Sequence, residues 1–362
     1  MFMQTIKAAV CHEFGKPFKI EEIKIRAPQS GEVEVTVEAC AICHSDINFA
    51  DGGWPAPLPA VYGHEAAGRI TAIGEGVKGL AVGDAVLATL VRSCGTCPSC
   101  NTAHPANCDA PGMAADGPLF TMDDQPIFHG LNTAAFAEKA VVDQSQIAKL
   151  PDGIPMDSAA LISCGVITGV GAVVNTGQVR AGQDVVVIGA GGVGLNAIQG
   201  ARIAGARRII AVDLNIDKLE IAKEFGATHV VNGADKPWKA VKALTGRGAD
   251  AVFVTVGVTQ VYDTATRFLA PQGRIIMVGM PHTGATSSYE PLLVARMGQG
   301  MVGSYMGDVI LSRDVPWIVD LYQQGRLKLD ELISGRWSLE QINEAFDDTR
   351  SGAARRNVIT FK

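Results

Sequence analysis

The sequence predicts a two-domain α/β chain, in which a β-rich, barrel-like domain is followed by a doubly wound parallel sheet. Three observations carry that expectation. The 362 residues exceed the roughly 150 of a common single domain. After Pro151-Asp152-Gly153 the hydrophobic pattern changes from short period-two strands to strands alternating with helices. A glycine-rich turn, Gly189-Ala190-Gly191-Gly192-Val193-Gly194, stands between an apolar run and a helical pattern.

In the first half, Val33-Glu34-Val35-Thr36-Val37-Glu38 alternates apolar and polar side chains, as a half-buried strand does. Residues 69–73 read as a second strand closed by Gly74-Glu75-Gly76, and 82–87 as a third. Short strands joined by polar turns imply antiparallel pairing. The segment Trp54-Pro55-Ala56-Pro57-Leu58-Pro59 lies between apolar segments and reads as a stiff connecting loop rather than a polyproline ligand for a partner.

In the second half, residues 184–188 form an apolar strand, 193–204 a helix and 208–213 a strand. A helix at 216–225 and strands at 251–256 and 274–278 continue the alternation that defines a doubly wound sheet. Beyond about Tyr305 the pattern loosens into helical segments 315–324 and 339–349 and a strand 357–361. Residues 158–179 carry no charge, but Gly165, Gly169, Gly171, Asn175, Gly177 and Gln178 interrupt the run, so it reads as buried core and no membrane span is expected.

Composition narrows the function. With 47% hydrophobic and 19% charged residues the chain suits a compact enzyme and not a disordered segment, and a net charge of −6 argues against a nucleic-acid partner. The start, MFMQTIKAAVCHEFG, lacks the features of a secretory signal, so cytoplasm is the expected compartment. Four of the eight cysteines, Cys94, Cys97, Cys100 and Cys108, fall within fifteen residues. That spacing suits a metal rather than disulfides, and four thiolates close a tetrahedral shell, which makes a structural zinc in a lobe at 92–110 the expectation. A DNA-contacting zinc ribbon is disfavoured, because Arg92 is the lobe's one basic residue and no Lys or Arg occurs from 93 to 138.

The glycine-rich turn meets the dinucleotide fingerprint in its proper context. Gly189 allows the tight turn, Gly191 and Gly192 let a pyrophosphate approach the backbone, and Gly194 allows close helix-to-strand packing. Asp213 ends the next strand, 19 residues past Gly194, where its carboxylate can bond both ribose hydroxyls and repel a 2′-phosphate. NAD is therefore expected over NADP. Lys218 is placed to reach the same ribose, although alone it reads as a solvated helix charge.

Cys43-His44-Ser45-Asp46, Gly63-His64-Glu65 and Ser163-Cys164-Gly165 are ordinary when read singly. Together with the cysteine lobe, the Gly189 to Gly194 turn with Asp213, and the closing Ser351-Gly352-Ala353-Ala354-Arg355-Arg356, they resemble the zinc-dependent medium-chain alcohol dehydrogenases over essentially the whole chain. The resemblance implies a GroES-like catalytic domain at 1–165, a Rossmann domain at 166–305, and a return to the catalytic domain at 306–362. It implies two Zn2+ per chain, the catalytic one held by Cys43, His64 and Cys164, with Asp46 orienting His64 and Glu65 close behind the ion. Zinc then acts as a Lewis acid that lowers the alcohol's pKa. Ser45 takes the alcohol proton. Asn48 stands where many relatives end the relay on a His, and since an amide is no base the proton leaves through water or another group. Thr168 and Val193 match positions at the nicotinamide, Val278 is a further cofactor-binding candidate, and His44 and Arg356 match positions at the pyrophosphate.

The pocket candidates by the same resemblance are Trp54, Leu90, Leu131, Val278 and Met280, an apolar set that suits an aliphatic or aromatic alcohol; ordinary packing is the competing role for each. Ser45 replaces a Thr of many relatives, which removes a methyl and admits bulkier alcohols. Polyol dehydrogenases commonly lack a Cys as third ligand, so Cys164 favours monohydric alcohols. The formaldehyde branch carries a basic residue after the fourth structural cysteine, where residues 109–128 offer none and carry Asp116, Asp123 and Asp124 instead. A catalytically silent relative would have lost zinc ligands, and all seven are present. The resemblance also implies a homodimer paired through 274–305, or a homotetramer of such dimers. Cys11 and Cys40 are left as ordinary thiols.

Overall fold

Strand Glu32–Ala41 organises the first half of the chain in this computed structural model, which describes residues 3–110 and 117–361. Asp116 lies outside the described residues. The chain divides into two units, Met1–Cys164 with Ile310–Lys362, and Gly165–Val309. The boundaries fall one and four residues from those expected at 165 and 305.

In the first unit, Glu32–Ala41 pairs antiparallel with Glu65–Ile73, Lys139–Asp143 and Arg356–Thr360 inside a seven-stranded sheet. Its apolar side chains are buried, which is why the period-two pattern was legible. The pairing with Arg356–Thr360 brings the chain's end back to the sheet of its beginning. A five-stranded sheet built on Met3–Cys11 and Lys19–Arg26 completes the unit. Two parallel pairs, Ile333–Trp337 with Arg356–Thr360 and Ala60–Val61 with Phe128–His129, depart from the expected antiparallel plan. The strand expected at 82–87 is corrected to Ala85–Thr89. Gly83 at φ +93 and the Asp84 carboxylate, which accepts from Ala81 N at 2.9 Å, turn the chain just before it. The helices expected at 315–324 and 339–349 are Leu311–Gln323 and Ile342–Ser351, the second preceded by a 3-10 turn at Leu339–Gln341. Between Ala50 and Ala60 the Pro-rich segment forms no helix or strand.

The second unit is a six-stranded parallel sheet in the spatial order His229–Asn232, Arg208–Asp213, Asp184–Ile188, Ala249–Val254, Leu269–Met277, Gly300–Gly303. This is the doubly wound order 3-2-1-4-5-6. Asp184–Ile188 is central and buried throughout, so its sequence reads as one apolar run. The two outer strands gave no readable pattern, being four residues each and, in Gly300–Gly303, half glycine. Val186, Ile210, Val252, Phe268 and Ile275 pack into the core beneath the sheet. The uncharged stretch lies in helix Met156–Thr176, which is long and apolar enough to cross a membrane by length and composition but is largely buried inside the protein.

His129 carries a pH dependence for the first unit. It is 8% exposed, and burial depresses its pKa to about 4, while its Nε2 has no hydrogen-bond partner among the described residues. Above pH 6.5 folded and unfolded chains are both neutral there. As pH falls below 6.5 the unfolded chain takes the proton first, so stability drops until about pH 4 and then levels, by at most about 3 kcal/mol. Urea midpoints measured from pH 7 to pH 4 should fall less for His129→Leu than for the natural chain; parallel curves would show that His129 does not contribute.

Candidate functional site

The site is built around a carboxylate with no solvent exposure. Strand Glu32–Ala41 runs into Cys43, which caps the short helix His44–Ala50, and Asp46 in the first turn folds back on that cap. Asp46 Oδ2 accepts from Cys43 N at 2.9 Å; Oδ1 accepts from Gly63 N at 3.0 Å and His64 Nδ1 at 3.1 Å. Gly63 is required there, because at φ +92 a Cβ would stand 2.6 Å from Phe136 N. With Nδ1 donating to Asp46, the lone pair of His64 Nε2 is left for a ligand, and that buried atom has no partner among the described residues.

The sulfurs of Cys43 and Cys164, a His64 nitrogen and a Glu65 oxygen all lie within 4.8 Å of one another, and all four residues are buried. Cys164 sits in a π-helical turn, Ile162–Val166, of a kind frequent at functional sites. A hydrogen bond with Cys164 holds the Cys43 thiol well below its ordinary pKa, while the same bond and burial push Cys164 well up. Burial opposes a charge on His64, yet the Asp46 carboxylate and its hydrogen bond raise the imidazole's pKa well above the usual value. Burial lifts Glu65 to about 7 against the pull of Arg356. Two thiols and an imidazole lone pair converging in a dry interior are the donor set of a zinc site with its fourth position open, and the Glu65 carboxylate lies close to it. Sequence reasoning had Glu65 close behind the ion, and a Glu65 oxygen lies within 4.8 Å of the ligand atoms of Cys43, His64 and Cys164.

Arg356, assigned to the pyrophosphate, is 6% exposed and forms an ion pair with Glu65. The physical reason is that a carboxylate with no solvent exposure needs a countercharge, and the strand Arg356–Thr360 supplies it. Ser45 and Asn48 lie half-buried on helix His44–Ala50, and His44 is exposed. Trp54 packs edge-on to Phe49 at 5.4 Å between ring centroids, and Leu90 and Leu131 are buried. Sequence reasoning missed Thr89, a buried residue opposite Glu65 in the sheet. The signal was a lone hydroxyl in the apolar run 85–91.

The second cluster is Cys94, Cys97, Cys100 and Cys108, whose sulfurs also lie within 4.8 Å of one another. Backbone N–H groups point at them: Cys97 N to Cys94 Sγ at 3.3 Å, Cys100 N and Asp109 N to Cys97 Sγ at 3.4 Å, and Cys94 N to Cys108 Sγ at 3.3 Å. Such donors stabilise thiolates, and those from Thr96 and Cys97 draw Cys94 down to about 6.

In the second unit the chain turns at Gly189, φ +98, into helix Gly192–Ile203, with Gly191 at its N-cap. A Cβ on Gly194 would stand 1.8 Å from Gly189 O, so helix and strand can be this close only with glycine. Val193 is half-buried beside them. Asp213 is fixed by Ala190 N on Oδ2 at 2.8 Å and Asn215 N on Oδ1 at 2.9 Å. Lys218 is half-buried on helix Ile216–Glu224. Thr168 and Val278 are buried, and Thr168 Oγ1 donates to Met306 Sδ at 3.7 Å, whereas Met280 is 45% exposed.

Residues 29–152 match the alcohol dehydrogenase GroES-like domain and residues 192–324 the zinc-binding dehydrogenase domain. The chain belongs to the zinc-dependent medium-chain alcohol dehydrogenase family. It is 38% identical to an NDMA-dependent alcohol dehydrogenase of Amycolatopsis methanolica, with 98% of each chain covered. It is 36% identical to the class-P alcohol dehydrogenase of Arabidopsis thaliana, over 98% of this chain and 97% of the relative. The crystal structure of benzyl alcohol dehydrogenase from Acinetobacter calcoaceticus superposes with a TM-score of 0.93 at 33% identity, over 99% of this chain and all of the other. As a medium-chain alcohol dehydrogenase the chain is an oxidoreductase that uses zinc and a nicotinamide cofactor.

Asp46 is the residue on which the metal geometry turns. Asp46→Ala leaves three N–H donors unpartnered and frees the His64 ring, and chelator competition should show catalytic-site zinc affinity lowered about 10- to 100-fold. Retention equal to that of the natural chain would mean that Asp46 does not set the imidazole.

Proposed function

We propose that the chain is an NAD-dependent alcohol dehydrogenase that interconverts monohydric aliphatic or aromatic alcohols with their aldehydes or ketones. The observation that carries this is the buried convergence of Cys43, His64, Glu65 and Cys164. Bound there, zinc supplies a Lewis acid for the alcohol oxygen, and a bound nicotinamide supplies the hydride acceptor. The chain's own residues do the rest. Asp46 holds His64 in the tautomer that offers Nε2, and the two cysteines, once deprotonated, offset the ion's charge. Ser45, two residues past Cys43, receives the alcohol proton on its hydroxyl and releases its own; Asn48 cannot take it, so the exit is by water or another group.

Gly191 and Gly192 at the helix N-terminus accept the pyrophosphate, and Thr168, Val193 and Val278 bear on the nicotinamide. Asp213, held from behind by two backbone N–H groups, offers its remaining lone pairs to the ribose hydroxyls, with Lys218 beside it. Trp54, Leu90 and Leu131 give the substrate an apolar wall. The likeness to a benzyl alcohol dehydrogenase supports aromatic alcohols. Two zinc ions per chain are proposed, the second in the four-cysteine lobe. Exposed Leu292, Leu293, Met301 and Tyr305 beside edge strand Gly300–Gly303 support a homodimer or a tetramer of dimers, and free thiols support a cytoplasmic setting.

Initial rates on protein carrying two zincs by metal analysis, with a panel of alcohols and with NAD, NADP or NDMA as acceptor, test the reading. Rates highest for benzyl-type or short aliphatic alcohols with NAD are expected. A maximum with sugars or hydroxymethyl-glutathione, turnover with NDMA but none with added NAD, or less than two zincs per chain would each overturn the corresponding part.

Asp213→Ser should weaken NAD and relatively improve NADP, because the repelling charge is gone and the adjoining N–H groups become free to bond a phosphate. An unchanged ratio of kcat/KM for the two cofactors would remove Asp213 as the selector.

A further inference from the structure

The sheet register of the first unit places one hydroxyl beside the metal site. Across four neighbouring strands Val358, Ala41, Glu65 and Thr89 stand directly opposite one another in sequence. Directly opposed residues in antiparallel pairs share a face, with Cβ atoms about 4.5–5.5 Å apart. The face that carries Glu65 into the metal site therefore carries Thr89 next to it. On the far side Ala41 offers only a methyl, and Arg356, two residues before Val358 and so on its face, reaches across to pair with Glu65. The carboxylate is flanked by a guanidinium on one side and a hydroxyl on the other.

Thr89 has no solvent exposure, and its Oγ1 has no hydrogen-bond partner among the described residues. Strand propensity alone does not ask for that hydroxyl. Every neighbour along the chain, Val86, Leu87, Ala88, Leu90 and Val91, is apolar and buried, and valine would fill the position with the same shape. A buried, unengaged donor beside a buried carboxylate is a hydrogen bond ready to form, since leaving either group unmet is costly.

We propose that Thr89 is a positioning residue for Glu65: its Oγ1–H donates to the carboxylate in the metal-loaded protein and, with Arg356 opposite, keeps Glu65 out of the metal's ligand shell. Arg356 holds the carboxylate by charge, and Thr89 fixes its orientation. The proposal rests on the metal-site reading of Cys43, His64 and Cys164.

The test is the visible d–d absorption of the cobalt(II)-substituted protein, which is strong for four-coordinate and weaker for five-coordinate cobalt. The four-cysteine site contributes equally to every variant and cancels in difference spectra. Thr89→Val is expected to weaken the catalytic-site bands as Glu65 joins the ion, Thr89→Ser to keep the natural spectrum, and Thr89→Val to change nothing in a Glu65→Ala background. Thr89→Ala replaces Thr89→Val should the latter fold poorly, with the same expectation. A natural spectrum in a folded Thr89 variant lacking the hydroxyl, or an equal change in Thr89→Ser, overturns the role of the hydroxyl. Absence of cobalt from Cys43, His64 and Cys164 overturns the metal reading and this inference with it.

Discussion

The catalytic half of the chain depends on one buried carboxylate, Asp46, and the three N–H groups it accepts. A carboxylate with no solvent exposure is stable only if its lone pairs are met, and here they are met by the backbone of Cys43, the backbone of Gly63 and the ring of His64. Those groups lie up to 18 residues away in sequence, so the bonds fix two loops against each other. The same bonds fix the chemistry. They place Cys43 at the helix start, turn His64 so that Nε2 faces the site, and leave no tautomer but the ligating one. Structure and function share a single interaction.

Around that fixed point the site gathers charge in a place where charge is unwelcome. Cys43, Cys164 and Glu65 are potential anions, Arg356 is a cation, and all are buried. Without metal the two thiols divide one proton's worth of preference, which is the sense of the opposite displacements of Cys43 and Cys164. A dication resolves the competition by taking both sulfurs as thiolates. Glu65, paired with Arg356, would then stand beside that charge. An arginine paired with that carboxylate keeps further N–H donors, since a guanidinium carries five.

Elements whose burial is one-sided or complete wrote themselves into the sequence. Asp184–Ile188 is buried throughout and reads as a continuous apolar run, and Glu32–Ala41 alternates. The four lobe cysteines were legible because thiols at that spacing have few other uses, Cys43, His64 and Cys164 only through the family resemblance, and the second-half glycines because a turn this tight excludes a Cβ. Contacts between distant segments were not legible. Nothing local in Arg356 says that it meets Glu65, since that depends on the last strand joining the sheet of the first residues. Thr89 was hidden for the same reason: its meaning lies in register with Glu65, which no periodicity reveals. The strand start at Ala85 was missed because Val82 continues the apolar pattern while Gly83 and Asp84 turn the backbone.

The four-cysteine lobe shows the opposite balance between packing and metal. None of residues 92–110 is buried, so this segment has no hydrophobic core with which to offset the entropy of ordering its backbone. What orders it is a set of N–H groups aimed at three of the four sulfurs, and that set is most favourable when the sulfurs carry charge. Four thiolates within 4.8 Å repel one another, so the charge in turn requires a cation. Structural zinc binding by cysteine-rich peptides is worth on the order of 10 kcal/mol, enough to order a lobe of this length unaided by packing. Asp46 makes a rigid site ready to receive a metal; in the lobe a metal would make the site.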